Sequence, residues 1–272
     1  MKKNFKLFIA DIDGTLRWVG NPGPITISAL KQLHENGVLV GVASGRPFWQ
    51  KLAQHAEDWG LGFQFDVIIG MNGGQLWDTR KNIRQDFNLL SCDTIHEIYD
   101  KMAPLGENAS VYREEGYTLA LRIDEMMKDS MRRNHDPVYV VKDPSELWAV
   151  PNHKIMFRCP TVQEAAKADQ FAQSISCDRY RGFGTSPPMV EFQDPRNNKG
   201  NALKEYCKAN QIDLSDVIAF GDSENDIEML KCAGTSVCLQ NGLQHVKDIC
   251  TAVTEYTVDE DGAGRYLYDH IL

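Results

Sequence analysis

Five short apolar runs, each stopped by polar or glycine residues, do most to constrain how this chain can fold. They fall at residues 6–10, 38–43, 66–70, 217–220 and 236–239. Near-continuous apolar strands of this kind suit a parallel sheet covered on both faces. Helical spacing lies between them. Residues 26–36 place Ile27, Leu30 and Leu33 on one face and stop at Gly37, a favoured residue just past a helix end. Residues 200–210 repeat the design with Ala202, Leu203, Tyr206 and Cys207. Strands alternating with helices predict a doubly wound, parallel-sheet α/β fold.

The middle of the chain reads differently. Residues 110–123, 138–141 and 153–159 look like strands, and 94–102 and 161–175 like helices, the latter with an alanine-rich face. A strand-rich stretch with a few helices predicts an α+β unit inserted into the core. The expected division is 1–84 for the first part of the core, 85–190 for the insert and 191–272 for the second part. The chain would leave the core after its third strand and return near Glu191, with Pro187-Pro188 marking the return.

A net charge of -9 argues against a general nucleic-acid binder, which needs a basic surface to displace counterions. It leaves room for an anionic substrate, because a bound cation and local donors can reverse the sign of one cleft. The seven cysteines are odd in number and never form a CxxC pair. That usage suits reduced thiols better than a disulfide framework or a zinc site. The basic start is followed by an apolar run too short for a signal peptide, and no stretch approaches the ~18 apolar residues of a membrane helix. The expectation is a cytoplasmic protein with no membrane and no nucleic-acid partner.

Four places carry chemistry. Phe8-Ile9-Ala10-Asp11-Ile12-Asp13-Gly14-Thr15-Leu16 delivers two carboxylates to the end of a buried strand, where ligands bind in open α/β sheets. Asp11 could be a nucleophile or metal ligand and Asp13 could reach a leaving group; an Asx turn is the plain alternative. In Gly41-Val42-Ala43-Ser44-Gly45-Arg46, Ser44 and the following N–H groups could hold a phosphate oxygen, or Ser44 could simply cap a helix. Lys199 stands at the mouth of a helix, as a phosphoryl-binding point charge or a solvated lysine. Gly221-Asp222-Ser223-Glu224-Asn225-Asp226 puts a second acidic cluster after a strand. Ser223 with Asp226 resembles a capping box, but capping requires neither Asp222 nor Asn225, whereas Mg²⁺ requires oxygen ligands.

In this order, Asp11-Ile12-Asp13-Gly14-Thr15-Leu16, Ser44, Lys199 and the 221–226 cluster resemble the four motifs of the haloacid dehalogenase superfamily. The large insert between the second and third resembles its Cof-type branch (subfamily IIB) of sugar-phosphate phosphatases. Met71-Asn72-Gly73-Gly74 and Asp259-Glu260-Asp261-Gly262-Ala263-Gly264 resemble that branch's secondary signatures.

The resemblance implies a Rossmann-like core with an α+β cap, Mg²⁺ as cofactor, and a small phosphomonoester substrate such as a sugar phosphate or phosphorylated cofactor. It implies that Asp11 attacks phosphorus to form an aspartyl-phosphate, and that Asp13 serves as acid and then base. Ser44, Gly45, Lys199 and Asn225 would hold the phosphoryl group. Asp11, Asp222 and Asp13, the last through its main-chain carbonyl, would hold the metal, with Asp226 positioning Lys199 or the metal's waters. The insert would close over the site. Arg179, Arg181 and Glu191 could read the leaving group or be plain surface charge, and Trp148 and Tyr180 read as packing residues. A phosphomutase is the alternative activity. A non-catalytic module would have lost Asp11 or Asp13, and both are present.

Overall fold

The computed structural model describes residues 5–134, 136–185 and 188–272. The chain divides into two compact units, Met1–Asp86 with Asn198–Leu272, and Phe87–Asn197. The first part of the larger unit supplies β1 (Leu7–Asp11), β2 (Leu39–Ala43), β3 (Val67–Gly70), β4 (Gln75–Asp78) and β5 (Ile83–Asp86). The inserted unit carries β6 (Asn108–Arg113), β7 (Tyr117–Ala120), β8 (Val138–Val140), β9 (Lys154–Arg158), β10 (Arg181–Thr185) and β11 (Met189–Gln193). The chain then returns with β12 (Val217–Gly221), β13 (Thr235–Cys238) and β14 (Ala252–Val253).

The larger sheet runs β14-β13-β12-β1-β2-β3-β4-β5. Pairs from β14 to β3 are parallel, and β4 and β5 close the edge antiparallel. Strands β1 and β12 are buried along their whole length, as their apolar runs require. Phe8, Ala10, Val40, Val42 and Phe220 pack with Leu30 and Leu33 of helix Pro24–Glu35 and Leu267 of helix Gly262–His270. Helices Lys199–Ala209 and Ile227–Cys232 pack on each other and against β3, β4, β12 and β13. Chain order reverses at β1, with β2 on one side and β12 on the other. Ligands of open α/β sheets bind at the carboxyl ends of strands at such a point.

The inserted sheet runs β10-β11-β9-β6-β7-β8, antiparallel except for β7 with β8. Ile155, Phe157, Val190 and Phe192 form one core with Ile95, Ile98 and Met102 of helix Cys92–Met102 and Ala168 and Ala172 of helix Val162–Ile175. The pleat sends Lys154 and Glu191 to the opposite face. There Lys154 Nζ donates to both Glu191 oxygens at 2.9 Å, and both residues are buried.

Three local expectations change. The run 110–123 is a hairpin, because Gly116 at φ 94° closes a turn between β6 and β7. After the third strand the chain adds β4 and β5 to the larger sheet before leaving it. The return comes at Asn198 and not near Glu191, since β11 pairs with both β9 and β10. Pro187 lies outside the described residues, and Pro188 sits in the turn before β11. No helix among the described residues is long and apolar enough to cross a membrane.

Candidate active site

The central strands end in polar residues where their apolar runs stop. Asp11 closes β1, Ser44 follows β2, and Asp222 follows β12. Lys199 opens its helix, whose first turn is capped by the Asn198 side chain accepting from the Asn201 N–H at 2.8 Å. It is no surface lysine. Its side chain has no exposure, and Nζ donates to Asp11 Oδ1 at 2.5 Å and Asp226 Oδ1 at 2.7 Å.

The other oxygen of Asp226 accepts from the backbone N–H groups of Asp222 (3.0 Å) and Ser223 (3.1 Å). Asp222 in turn accepts from the hydroxyls of Thr15 (2.7 Å) and Ser223 (2.9 Å). Gly14, at φ 94°, makes this packing possible, because a Cβ there would lie 2.5 Å from Asp222 Oδ2.

Burial sets the electrostatics. It raises Asp11 well above the usual carboxylate range, with Lys199 opposing and the neighbouring Asp226, Asp222 and Asp13 adding to the rise. Burial also raises Asp222, helped by Asp226, to about 6. Burial disfavours the charge of Lys199, but Asp11 and Asp226 outweigh it and the ammonium is held above its ordinary range. Oxygens of Asp11, Asp222 and Asp226 lie within 4.8 Å of one another. An all-oxygen set of this kind fits a hard cation such as Mg²⁺. The Asp13 carboxylate stands outside that group and accepts from Arg46 Nε and Nη2, each at 3.0 Å. A ligand from Asp13 would therefore be its main-chain carbonyl.

Ser44 caps no helix, since the next helical turn begins at Phe48 after Pro47. Its N–H donates to Ile69 O at 2.8 Å, and its hydroxyl accepts from the Arg46 N–H at 3.2 Å. The 71–74 segment braces this corner. Asn72, at φ 52°, donates its N–H to Ser44 O and accepts from Asn225 Nδ2 at 3.1 Å, and its Oδ1 would sit 3.0 Å from a Cβ on Gly45. Asp261 instead serves the scaffold, accepting from Thr26 Oγ1, Thr26 N–H and Ile25 N–H.

The family model for haloacid dehalogenase-like hydrolases matches residues 8–267. The chain belongs to this family. An HMP-PP phosphatase of Serratia proteamaculans is 28% identical over 90% of this chain and 87% of its own. One from Yersinia enterocolitica is 26% identical over 97% and 94%. A haloacid dehalogenase-like hydrolase from Bacteroides thetaiotaomicron superposes with a TM-score of 0.82 at 21% identity, covering 97% of this chain and 99% of that one. A subclass IIB sugar phosphatase gives 0.80 at 21% identity over 97% and 98%. The fold is thus the haloacid dehalogenase core with an inserted α+β cap.

Around this haloacid dehalogenase site, sequence reasoning missed Arg46, Arg17 and His55. Arg46 directly follows the Ser44-Gly45 pair, so adjacency alone could have nominated it. Arg17 Nη2 lies 3.9 Å from Asp13 Oδ1 and 3.3 Å from His55 Nε2, and no spacing in the sequence announces that meeting. In the inserted unit, Arg179 pairs with Glu97 at 2.5 Å, Arg181 is exposed over the Phe183 ring, and Glu191 is taken by Lys154. Trp148 stacks on His96 and Tyr180 is fully buried, as packing residues would be.

Proposed function

We propose that this phosphatase hydrolyses small phosphomonoesters, sugar phosphates or phosphorylated cofactors, with Mg²⁺ and through an aspartyl-phosphate on Asp11. The observation that carries the reading is the contact of Asp11, at the end of β1, with a fully buried lysine beside two further carboxylates. The sugar phosphatase fold and the HMP-PP phosphatase relatives support a small phosphate ester as substrate.

Asp11 attacks phosphorus in line, which splits one difficult displacement into two. Lys199 offsets the repulsion between carboxylate and phosphate and stabilises the equatorial oxygens, with Ser44, Gly45 and Asn225 beside it. Asp13 protonates the leaving oxygen and then takes the proton of the hydrolytic water. Asp226 holds Lys199 in place at 2.7 Å. Asp11, Asp222 and the Asp13 carbonyl would hold Mg²⁺, which when bound supplies positive charge opposite the phosphoryl oxygens. The family resemblance implies that the inserted unit would serve as a cap that excludes water. All seven cysteines are unbridged, which supports a reducing, cytoplasmic location.

The test is phosphate release from a panel of phosphomonoesters with Mg²⁺ and with EDTA. Release should require Mg²⁺ and vanish in Asp11→Asn, because an amide is a poor nucleophile. Wild-type activity in Asp11→Asn would overturn the mechanism.

A further inference from the structure

Two of the seven cysteines meet at the carboxyl end of the larger sheet. Cys238 is the last residue of β13, and its side chain shares a face of that strand with Ser236. Thr251, just ahead of β14, is clasped to that row. Its N–H donates to Ser236 Oγ at 3.0 Å, and its hydroxyl accepts from the Ser236 N–H at 3.0 Å. The clasp carries the neighbouring Cys250 to the same row, where its sulfur accepts from the Cys238 thiol and the Ser236 hydroxyl. Strand register holds the arrangement: Cys238 pairs with Val253, and its carbonyl accepts from the Thr254 N–H at 2.9 Å. The two thiols differ in reach. Cys238 is fully buried, whereas Cys250 is partly exposed. The hydrogen bond from Cys238 lowers Cys250 from the ordinary thiol range against the effect of burial, and the same bond, with burial, raises Cys238. An accessible, acidified thiol beside a second thiol is the arrangement of an attacking and a resolving cysteine. In a reducing compartment such pairs bridge transiently and sense oxidants.

Directly after Cys238, the 239–243 loop fastens the acidic site from behind. Leu239 N–H donates to Gly221 O at 3.1 Å, Leu243 N–H to Asp222 O at 2.9 Å, and Asn241 Nδ2 to Gly14 O at 2.8 Å. Cys238 Sγ packs on this loop so closely that a Cβ on Gly242 would lie 2.5 Å from it and 3.0 Å from Asp222 O. A disulfide draws its two sulfurs to about 2.05 Å. Bridging therefore takes Cys238 Sγ from its seat beside Gly242 and disturbs the loop that holds Asp222.

Resting on the Mg²⁺-dependent reading above, we propose that Cys238 and Cys250 form a reversible disulfide that weakens Mg²⁺ binding at Asp222 through the 239–243 loop. The oxidant is a peroxide. The Cys250 thiolate attacks one peroxide oxygen, the O–O bond breaks, and hydroxide leaves, giving a sulfenic acid on Cys250. Cys238 sulfur then attacks that sulfur, the S–O bond breaks, and the departing hydroxide takes the Cys238 proton as water. Two electrons pass from the two sulfurs to hydrogen peroxide, which ends as two waters. A small dithiol reverses the bridge by exchange.

The experiment treats wild type, Cys250→Ser and Cys238→Ala with hydrogen peroxide. It reads bridging by mass spectrometry of unreduced digests, the Mg²⁺ Kd by calorimetry, and turnover of p-nitrophenyl phosphate. Cys250→Ser keeps a hydrogen-bond acceptor for Cys238, so its reduced form should match wild type in all three. Oxidised wild type should yield one cross-linked peptide pair joining Cys238 to Cys250. Its Mg²⁺ Kd should rise about 5- to 150-fold, the usual range of coupling between two sites, and fall back with dithiothreitol. Cys250→Ser should show neither change. Cys238→Ala should leave Cys250 as a sulfenic acid that dimedone traps, which supports Cys250 as the attacking thiol. Absence of the cross-linked pair in wild type overturns the inference. So does a bridge that leaves the Mg²⁺ Kd unchanged, or an equal rise in Cys250→Ser, which would assign the effect to another thiol. No turnover by reduced wild type overturns the phosphatase reading instead, while the bridge and the Mg²⁺ Kd are still read.

Discussion

Replacing Asp261 should weaken the larger unit without touching its chemistry. Helix Pro24–Glu35 begins at Gly23, which offers no side-chain cap, and the missing acceptor arrives from Asp261. Its carboxylate accepts from Thr26 Oγ1 at 2.7 Å, Thr26 N–H at 3.1 Å and Ile25 N–H at 3.3 Å. Losing a cap costs about 1 kcal/mol. Losing a negative charge at a helix N-terminus costs about 1 kcal/mol in a partly buried setting. The buried Thr26 hydroxyl, stripped of its acceptor, adds about 1 kcal/mol more. Asp261 also sits at φ 64°, where alanine suffers a further penalty of about 1 kcal/mol. Asp261→Ala should therefore cost about 4 kcal/mol, Asp261→Gly about 3, and Asp261→Asn, which keeps an acceptor and tolerates this backbone, about 1. Urea unfolding followed by tryptophan fluorescence reads the order, and p-nitrophenyl phosphate turnover under native conditions should hold in all three. An alanine variant within about 1 kcal/mol of wild type, or a glycine variant more stable than the asparagine one, would refute the capping account.

Three further outcomes are expected. Asp11 and Asp222 are both raised in the metal-free protein, so their contribution to stability is full below their unfolded values and is lost as pH rises through about 6 for Asp222. The gain in Tm on adding Mg²⁺ should accordingly grow between pH 4 and 7, and scanning calorimetry showing a flat or falling gain would contradict it. Lys154→Met, which takes the ammonium from the buried Glu191 carboxylate, should cost about 3–5 kcal/mol, and Lys154→Met with Glu191→Leu should recover most of it in a double-mutant cycle. Gly73→Ala would place a Cβ 2.1 Å from Asn198 O at a residue of φ 95°, next to Lys199, and should lower kcat more than about tenfold while the protein stays folded by circular dichroism.

The acidic corners were legible because each one ends an apolar run, so Asp11 and Asp222 could be placed at strand ends before any coordinates. Lys199 was legible only in company: alone it reads as solvated, and its burial depends on Asp11 and Asp226, 188 and 27 residues away. What the sequence hid is long-range pairing. Glu191 reads in the sequence as a leaving-group reader or as surface charge; beside β9, where β11 pairs, Lys154 meets it. The same blindness misplaced the return to the core. The hairpin at Gly116 was a different failure, since a glycine after two glutamates is a turn signal that the apolar flanks outweighed.

The position of β1 between β2 and β12 carries a consequence in time. On the ribosome, β1, which ends in Asp11, emerges long before β12 and has no neighbour on one side until residues 217–221 have been made. The inserted unit is continuous from Phe87 to Asn197, so it can complete its own contacts earlier. Helix Pro24–Glu35 likewise waits for Asp261. Asp11 therefore travels through most of synthesis away from Lys199, Asp222 and Asp226. A nascent chain stalled before residue 217 should hold a folded insert and no phosphatase activity.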